Sequence, residues 1–270
     1  MSRRYAEVIG DPIEHSKSPL IHGFWLDRLG IDAEYRRTRV LAEDLGDFVA
    51  RRRADPDWCG CNVTIPHKLA IMAHVADPEN VRASIGAMNT IARDAAGALF
   101  GTNTDAAGFF APIAALPLAG KRAVVIGSGG AANAVLFALA RAGIGSVTLL
   151  ARNPSKAMAL LVRFGLAGVA LPLGTAPGVA ALVVNASPLG MTGQPPLPFD
   201  VSALPDDAVV YDIVYTPVKT ELLKAAAARG LATIDGLAML VGQAAGAFEH
   251  FFGVPPPVGA DDELRRLLTR

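Results

Sequence analysis

The sequence predicts an α/β protein with mainly parallel sheets. Short β-rich runs alternate with helical ones through almost the whole length, and a continuous apolar strand at residues 123–126 leads straight into a glycine turn and a helix. The 270 residues are 51% hydrophobic and 19% charged, enough to build one large or two modest cores and incompatible with a disordered chain. In order, residues 5–10 read as a strand and 19–29 as a helix, with Ser18 at the N-cap, Pro19 at the first position and Gly30 as its stop. Residues 33–39 form a second strand, 43–53 a helix and 61–65 a third strand, which Pro66 ends before a helix over 67–74. Residues 88–93 and 98–102 flank Asp94-Ala95-Ala96-Gly97 as a hairpin. A new domain begins with the strand at 123–126 and a helix reaching residue 142. Strands at 147–150, 181–185 and 209–213 follow, with helices at 155–164, 219–229 and 237–252. The Pro- and Gly-rich stretches 165–178 and 195–205 read as surface connections.

Composition also narrows the partners. Lys+Arg and Asp+Glu number 25 each, so no net field draws the molecule to nucleic acid or an anionic membrane, and a small molecule is the expected partner. No apolar run approaches the ~20 residues that span a bilayer, since even 236–248 contains Gln243 and three glycines. The N-terminal Met1-Ser2-Arg3-Arg4 enters the first strand without the apolar stretch of an export signal, and a soluble cytoplasmic protein is expected. The two cysteines, Cys59 and Cys61, match no redox or zinc spacing and read as buried thiols. His15, His22, His67, His74 and His250 lack metal-ligand spacing, so no metal is expected.

Strand, glycine turn and helix gather backbone N–H groups and the positive end of a helix dipole around one point, an arrangement suited to a pyrophosphate. Gly127, Ser128, Gly129, Gly130 and Ala131 occupy it, with Ala132 where the usual pattern ends in Gly or Ala. The alternative is an ordinary glycine-rich βα turn. Roughly 20 residues on, an NAD site presents an acid to the ribose, whereas this chain has Arg152 and Asn153, with Lys156 one turn away. A guanidinium fork holds a 2′-phosphate, which favours NADP(H) over NAD; the alternative is a solvated charge at a strand end.

Several segments carry a resemblance over nearly the entire chain. They are His15-Ser16-Lys17-Ser18-Pro19, Asn62-Val63-Thr64-Ile65-Pro66-His67-Lys68, Met88-Asn89-Thr90, Asn103-Thr104-Asp105-Ala106-Ala107-Gly108, Asn185-Ala186-Ser187-Pro188-Leu189-Gly190-Met191, Asp212-Ile213-Val214-Tyr215-Thr216-Pro217 and Gly236-Leu237-Ala238-Met239-Leu240-Val241-Gly242-Gln243. In these the chain resembles the shikimate dehydrogenase family, which reduces 3-dehydroshikimate to shikimate with NADPH in the shikimate pathway of aromatic amino-acid biosynthesis. The resemblance implies a substrate domain of residues 1–104 completed by 237–270, a Rossmann-like cofactor domain of 105–236, and an active site in the cleft. Gly23 stands where the family often has Asn, Ala151-Arg152-Asn153 where it has Asn-Arg-Thr, and Ser128 where Ala is usual.

Hydride delivery to a ketone places negative charge on its oxygen, and the site must supply a proton or fixed positive charge there. By the resemblance, Lys68 and Asp105 form that dyad; taken singly, a lysine at a helix start and an aspartate at an N-cap are usually structural. The resemblance places Ser16 and Ser18 on the substrate carboxylate with Tyr215 nearby, and Thr64, Asn89 and Gln243 on the hydroxyl face. Gln243 also has a physical argument, because an amide inside the apolar face of residues 239–241 must find a partner. Ile213 and Met239 flank the nicotinamide by the same pattern, and Gly236 lets it approach the backbone, although apolar packing accounts for them nearly as well. A quinate/shikimate or aminoshikimate dehydrogenase of the same family would share every catalytic residue, and a non-catalytic nucleotide-binding regulator is argued against by the intact dyad. The sequence leaves room for a homodimer.

Overall fold

The strands separate into two sheets of different character in this computed structural model, which describes residues 3–270; Met1 and Ser2, at the head of the N-terminus read above as leaderless, lie outside the described residues. The chain divides into two units, one running to Thr104 and resuming over Val241–Arg270, the other Asp105–Leu240.

The first unit holds a mixed five-stranded sheet. It contains β1 (Arg4–Gly10), β2 (Ala33–Arg39), β3 (Trp58–Val63), β4 (Thr90–Arg93) and β5 (Leu99–Thr102), in the order β2-β1-β3-β4-β5. β1 pairs in parallel with β2 and β3, while β3–β4 and β4–β5 are antiparallel, the latter being the expected hairpin. Helix α1 (Ser18–Leu29) buries Ile21, Trp25 and Leu26 and ends on Gly30 in the left-handed conformation. Helix α2 (Leu45–Ala54) ends where Arg93 donates to the carbonyls of Arg52, Arg53 and Asp55, satisfying acceptors that a helix end leaves open. Glu7, fully buried on β1, accepts from Arg52 Nε at 2.6 Å, Trp58 Nε1 at 2.7 Å and the Thr38 hydroxyl, so its charge is compensated on every side. Both cysteines are free and buried, as expected. The unit also contains the single-turn α3 (Val81–Ser84).

The second unit opens with α4 (Asp105–Phe110) and carries a wholly parallel six-stranded sheet. β6 (Arg122–Ile126), α5 (Gly130–Arg141), β7 (Ser146–Ala151), α6 (Pro154–Arg163), β8 (Gly168–Pro172), β9 (Leu182–Asn185), β10 (Val209–Asp212), α7 (Glu221–Ala228) and β11 (Ala232–Ile234) give the order β11-β10-β9-β6-β7-β8. Buried strands on both faces explain the uninterrupted apolar runs of β6, β9 and β10. The strand order reverses between β6 and β9, the switch point outside whose carboxyl ends α/β sheets bind ligands. The long helix α8 (Gly236–Phe252) carries the chain back to the first unit, which ends in α9 (Asp261–Leu268).

Four expectations are corrected. Ser18 is the first residue of α1, with Lys17 at the cap and no side-chain cap bond; instead Ser16 Oγ accepts from Ser18 N at 3.3 Å. The helix expected over 67–74 is only a 3-10 turn at Ala70–Ala73, because Met88 N takes the Lys68 carbonyl at 2.9 Å and that oxygen is lost to an α-helical ladder. The stretch 165–178 contains β8, an edge strand whose exposed faces need no apolar run and whose proline sits at its end. The third strand is Trp58–Val63, displaced toward the N-terminus from 61–65.

Candidate active site

In the first unit Asn89, just before β4, is joined to another predicted residue, Gln243. Its Oδ1 accepts from Thr104 N at 2.7 Å, and its Nδ2 donates to Thr104 Oγ1 at 2.9 Å and to Gln243 Oε1 at 3.5 Å. Gln243, on α8, is buried, so the partner that its apolar helix face demands is another amide. Behind this pair, Thr90 Oγ1 donates to Asn89 Oδ1, Asn62 Nδ2 donates to Thr90 Oγ1 at 3.2 Å, and the Tyr35 hydroxyl donates to Asn62 Oδ1 at 2.6 Å. The sequence reading missed Asn62, Thr90, Thr104 and Tyr35 as members of this network. Asn62 is a polar residue in a strand buried along its whole length, a contrast that appears only once burial is known.

Lys68 is half-buried on the turn after β3, and its carbonyl is tied to Met88, the residue before Asn89. The neighbouring His67 is buried, with Nε2 2.7 Å from the Val40 carbonyl, and so anchors that turn. Thr64 is half-buried beside it, with its N–H on the Ile9 carbonyl. Ser16 and Ser18 lie at the start of α1, where the Ser16 carbonyl accepts from Arg37 Nε at 2.9 Å. Ser18 is buried, and its hydroxyl reaches the buried Tyr35 phenol, which burial pushes well above its ordinary pKa. One turn along α1, fully buried His22 stacks on the Tyr35 ring at 3.9 Å and 4°, and neither ring nitrogen has a partner. Burial lowers its pKa to about 3. Asp105, the first residue of the second unit, is 4% exposed and is joined by one peptide bond to the Thr104 that Asn89 pins.

In the second unit, Gly127 closes β6 at φ +109, and a Cβ there would lie 2.8 Å from the Ala186 carbonyl oxygen. Glycine is therefore required by both backbone and contact. Gly129 is the N-cap of α5 without a side-chain cap bond, and a Cβ there would meet nothing within 4 Å. Open space beside uncapped helix N–H groups fits a pyrophosphate approaching Gly127–Gly130, with Ser128 and Ala131 half-buried in the same turn. Arg152, Asn153 and Lys156 are exposed just beyond β7. Asn153 Oδ1 caps α6 by accepting from Lys156 N at 3.0 Å, so this residue serves the helix first. Tyr215 is half-buried in the segment after β10; Ile213 packs against the unit's core and Met239 is buried within it. At Gly236 a Cβ would lie 2.5 Å from the carbonyl oxygens of Ile213 and Val214, so protein backbone is the neighbour that requires glycine there. Among the described residues no three His, Cys, Asp or Glu side chains cluster to hold a metal, and no helix is long and apolar enough to cross a membrane.

A parallel sheet with a glycine turn at its switch point, and a separate unit with a buried amide and hydroxyl array, define a two-domain α/β protein of the Rossmann-like class. Family models agree: the shikimate dehydrogenase substrate binding domain matches residues 8–91 and the shikimate 5′-dehydrogenase C-terminal domain matches 236–262. The shikimate dehydrogenase (NADP(+)) of Sphingopyxis alaskensis is 63% identical over 265 residues, 98% of this chain and 97% of that one. Among solved structures, shikimate 5-dehydrogenase from Thermus thermophilus in complex with NADP(H) and shikimate is 37% identical with TM-score 0.86, covering 98% of this chain and 99% of that one. Quinate dehydrogenase from Corynebacterium glutamicum in complex with NAD is 33% identical with TM-score 0.84, covering 98% of each chain. The chain belongs to the shikimate dehydrogenase family.

Proposed function

We propose that this chain is an NADP-dependent shikimate dehydrogenase, catalysing the reversible reduction of 3-dehydroshikimate to shikimate. The observation that carries the reading is the Asn89–Thr104–Gln243 cluster, a buried set of donors and acceptors in the unit matched by the family's substrate-binding domain. A polyhydroxylated ring acid needs such a prearranged set on its hydroxyl face, here with Thr64, and short hydroxyl donors for its carboxylate, here Ser16 and Ser18 with Tyr215. Bound NADPH supplies the hydride. The turn at Gly127–Gly130 receives its pyrophosphate, Arg152 and Lys156 receive its 2′-phosphate, and Ile213 and Met239 serve its nicotinamide end. By the resemblance, Lys68 and Asp105 act as one proton-handling dyad: the ammonium stabilises charge as it grows on the ketone oxygen, and the carboxylate assists the proton's transfer.

The two free thiols suit a reducing compartment, so the reading places the enzyme in the cytoplasm. It also allows a homodimer, which light scattering decides. The function is tested by following the nicotinamide absorbance band with purified protein, shikimate and NADP. Turnover is expected, with Lys68→Ala lowering kcat by about 10²–10⁴-fold while NADP binding is retained. No turnover in either direction refutes the reading, and a higher kcat/KM for quinate than for shikimate reassigns the enzyme within its family.

A further inference from the structure

Asp212, the last residue of β10, is fully buried, and every hydrogen-bond partner it has is neutral. Oδ1 accepts from Asn185 Nδ2 at 2.9 Å and from Val214 N at 3.0 Å, while Oδ2 accepts from the Thr220 hydroxyl at 2.7 Å. Burial raises its pKa. A carboxylate taken from water without a cation is a cost that packing alone does not justify. Its location gives the reason. Asn185 ends β9, beside β6 at the reversal of strand order, and folds the segment after it: Nδ2 donates to the Leu189 carbonyl at 3.0 Å, and Oδ1 accepts from Ser187 N and Oγ at 3.1 and 2.7 Å. That segment touches the glycine turn, for it is the Ala186 carbonyl that a Cβ on Gly127 would strike. On the other side Asp212 holds Val214 N, and the Ile213 and Val214 carbonyls are those against which Gly236 packs. One carboxylate therefore ties together the segments leaving β9 and β10, which carry Ile213 and Tyr215.

We infer that Asp212 is a positioning residue for hydride transfer, clamping the two chain segments that leave the switch point so that the nicotinamide end of the cofactor is presented in one orientation. This rests on the dehydrogenase reading above. The clamp acts on the nicotinamide end and not on the adenosine end, whose residues lie after β7. Small displacements at a reacting atom are costly, about 10²-fold for 1 Å.

The test compares Asp212→Ala with Asp212→Asn, whose amide can keep all three contacts, accepting through Oδ1 and donating through Nδ2 to Thr220. Wild-type turnover of shikimate with NADP first establishes the reading itself, so that its failure is seen before any variant is made. Asp212→Ala is then expected to lower kcat at least tenfold and to raise the primary isotope effect from NADPH deuterated at nicotinamide C4. The inhibition constant of 2′,5′-ADP, which takes only the adenosine side, should stay within twofold. Asp212→Asn should keep at least a third of wild-type kcat. A folded Asp212→Ala variant with wild-type kcat, or one that loses 2′,5′-ADP affinity in step with kcat, overturns the inference. If Asp212→Ala does not fold, Thr220→Val, which removes one donor to the carboxylate, decides on the same measurements: lower kcat with a raised isotope effect supports the clamp, and an unchanged isotope effect overturns it.

Discussion

His22 lets the substrate unit be probed by acid. Its imidazole is enclosed by Tyr35, Trp25, Phe248 and Phe251, with ring centroids at 3.9, 5.7, 5.8 and 6.0 Å, and both nitrogens lack partners, so the folded protein holds it neutral. Burial brings its pKa from 6.5 to about 3. The unfolded chain thus takes up the proton first. The stability tied to the neutral ring is full above pH 6.5 and falls as pH drops toward 3, because the unfolded state binds more protons across that window. Linkage gives about 2 kcal/mol lost between pH 7 and pH 5 from this one group. His22→Phe keeps an aromatic ring against Tyr35 and removes the titration, while every other titrating group is common to both proteins. The measurement is guanidinium unfolding at pH 5, 6 and 7, followed by tryptophan fluorescence. Both tryptophans of the chain, Trp25 and Trp58, belong to the first unit, so the signal reports that unit alone. The stability difference between variant and wild type should shift by about 2 kcal/mol in the variant's favour on going from pH 7 to pH 5. A difference that does not change with pH would show that the ring is hydrated or paired in solution, and the reasoning would fail.

Three further outcomes are expected. Gly127→Ala forces a left-handed backbone and a 2.8 Å contact with the Ala186 carbonyl, and should cost roughly 2–4 kcal/mol together with NADP affinity; a melting temperature equal to wild type refutes the contact argument. Arg52→Met leaves buried Glu7 with only Trp58 and Thr38, at an expected cost of about 2–3 kcal/mol, less than for a fully enclosed pair because Arg52 is partly exposed; denaturant midpoints check it. Arg152→Asp replaces the guanidinium proposed to receive the 2′-phosphate with a charge of the phosphate's own sign and should raise KM for NADP by about 10–100-fold, moving preference toward NAD, whereas an unchanged NADP/NAD ratio would make Arg152 a surface charge only.

Much of the fold was legible because local rules and tertiary demands agreed. The β6 strand is apolar along its length since both faces are covered, and Gly127, which opens the turn after it, is glycine because no other residue fits. Illegible elements were those whose existence depends on a distant partner. β8 is recognisable only through its pairing with β7, and the turn carrying Lys68 fails to become a helix because Met88, twenty residues on, takes its carbonyl. The polar residues followed the same division. Gln243 stood out as an amide on an apolar helix face, whereas Asn62, Tyr35 and Asp212 became conspicuous only when burial and partners were known.

The sequence by itself determined the alternation of strands and helices, the glycine turn after β6, the cation after β7 and the family, since each is written in residues close together along the chain. Only the tertiary structure decided which polar groups are buried together, that Gly236 serves backbone packing, and that Asp212 ties two strand ends. Desolvation and hydrogen bonding act between side chains brought together from 15 to 154 positions apart, and no local pattern records those pairings.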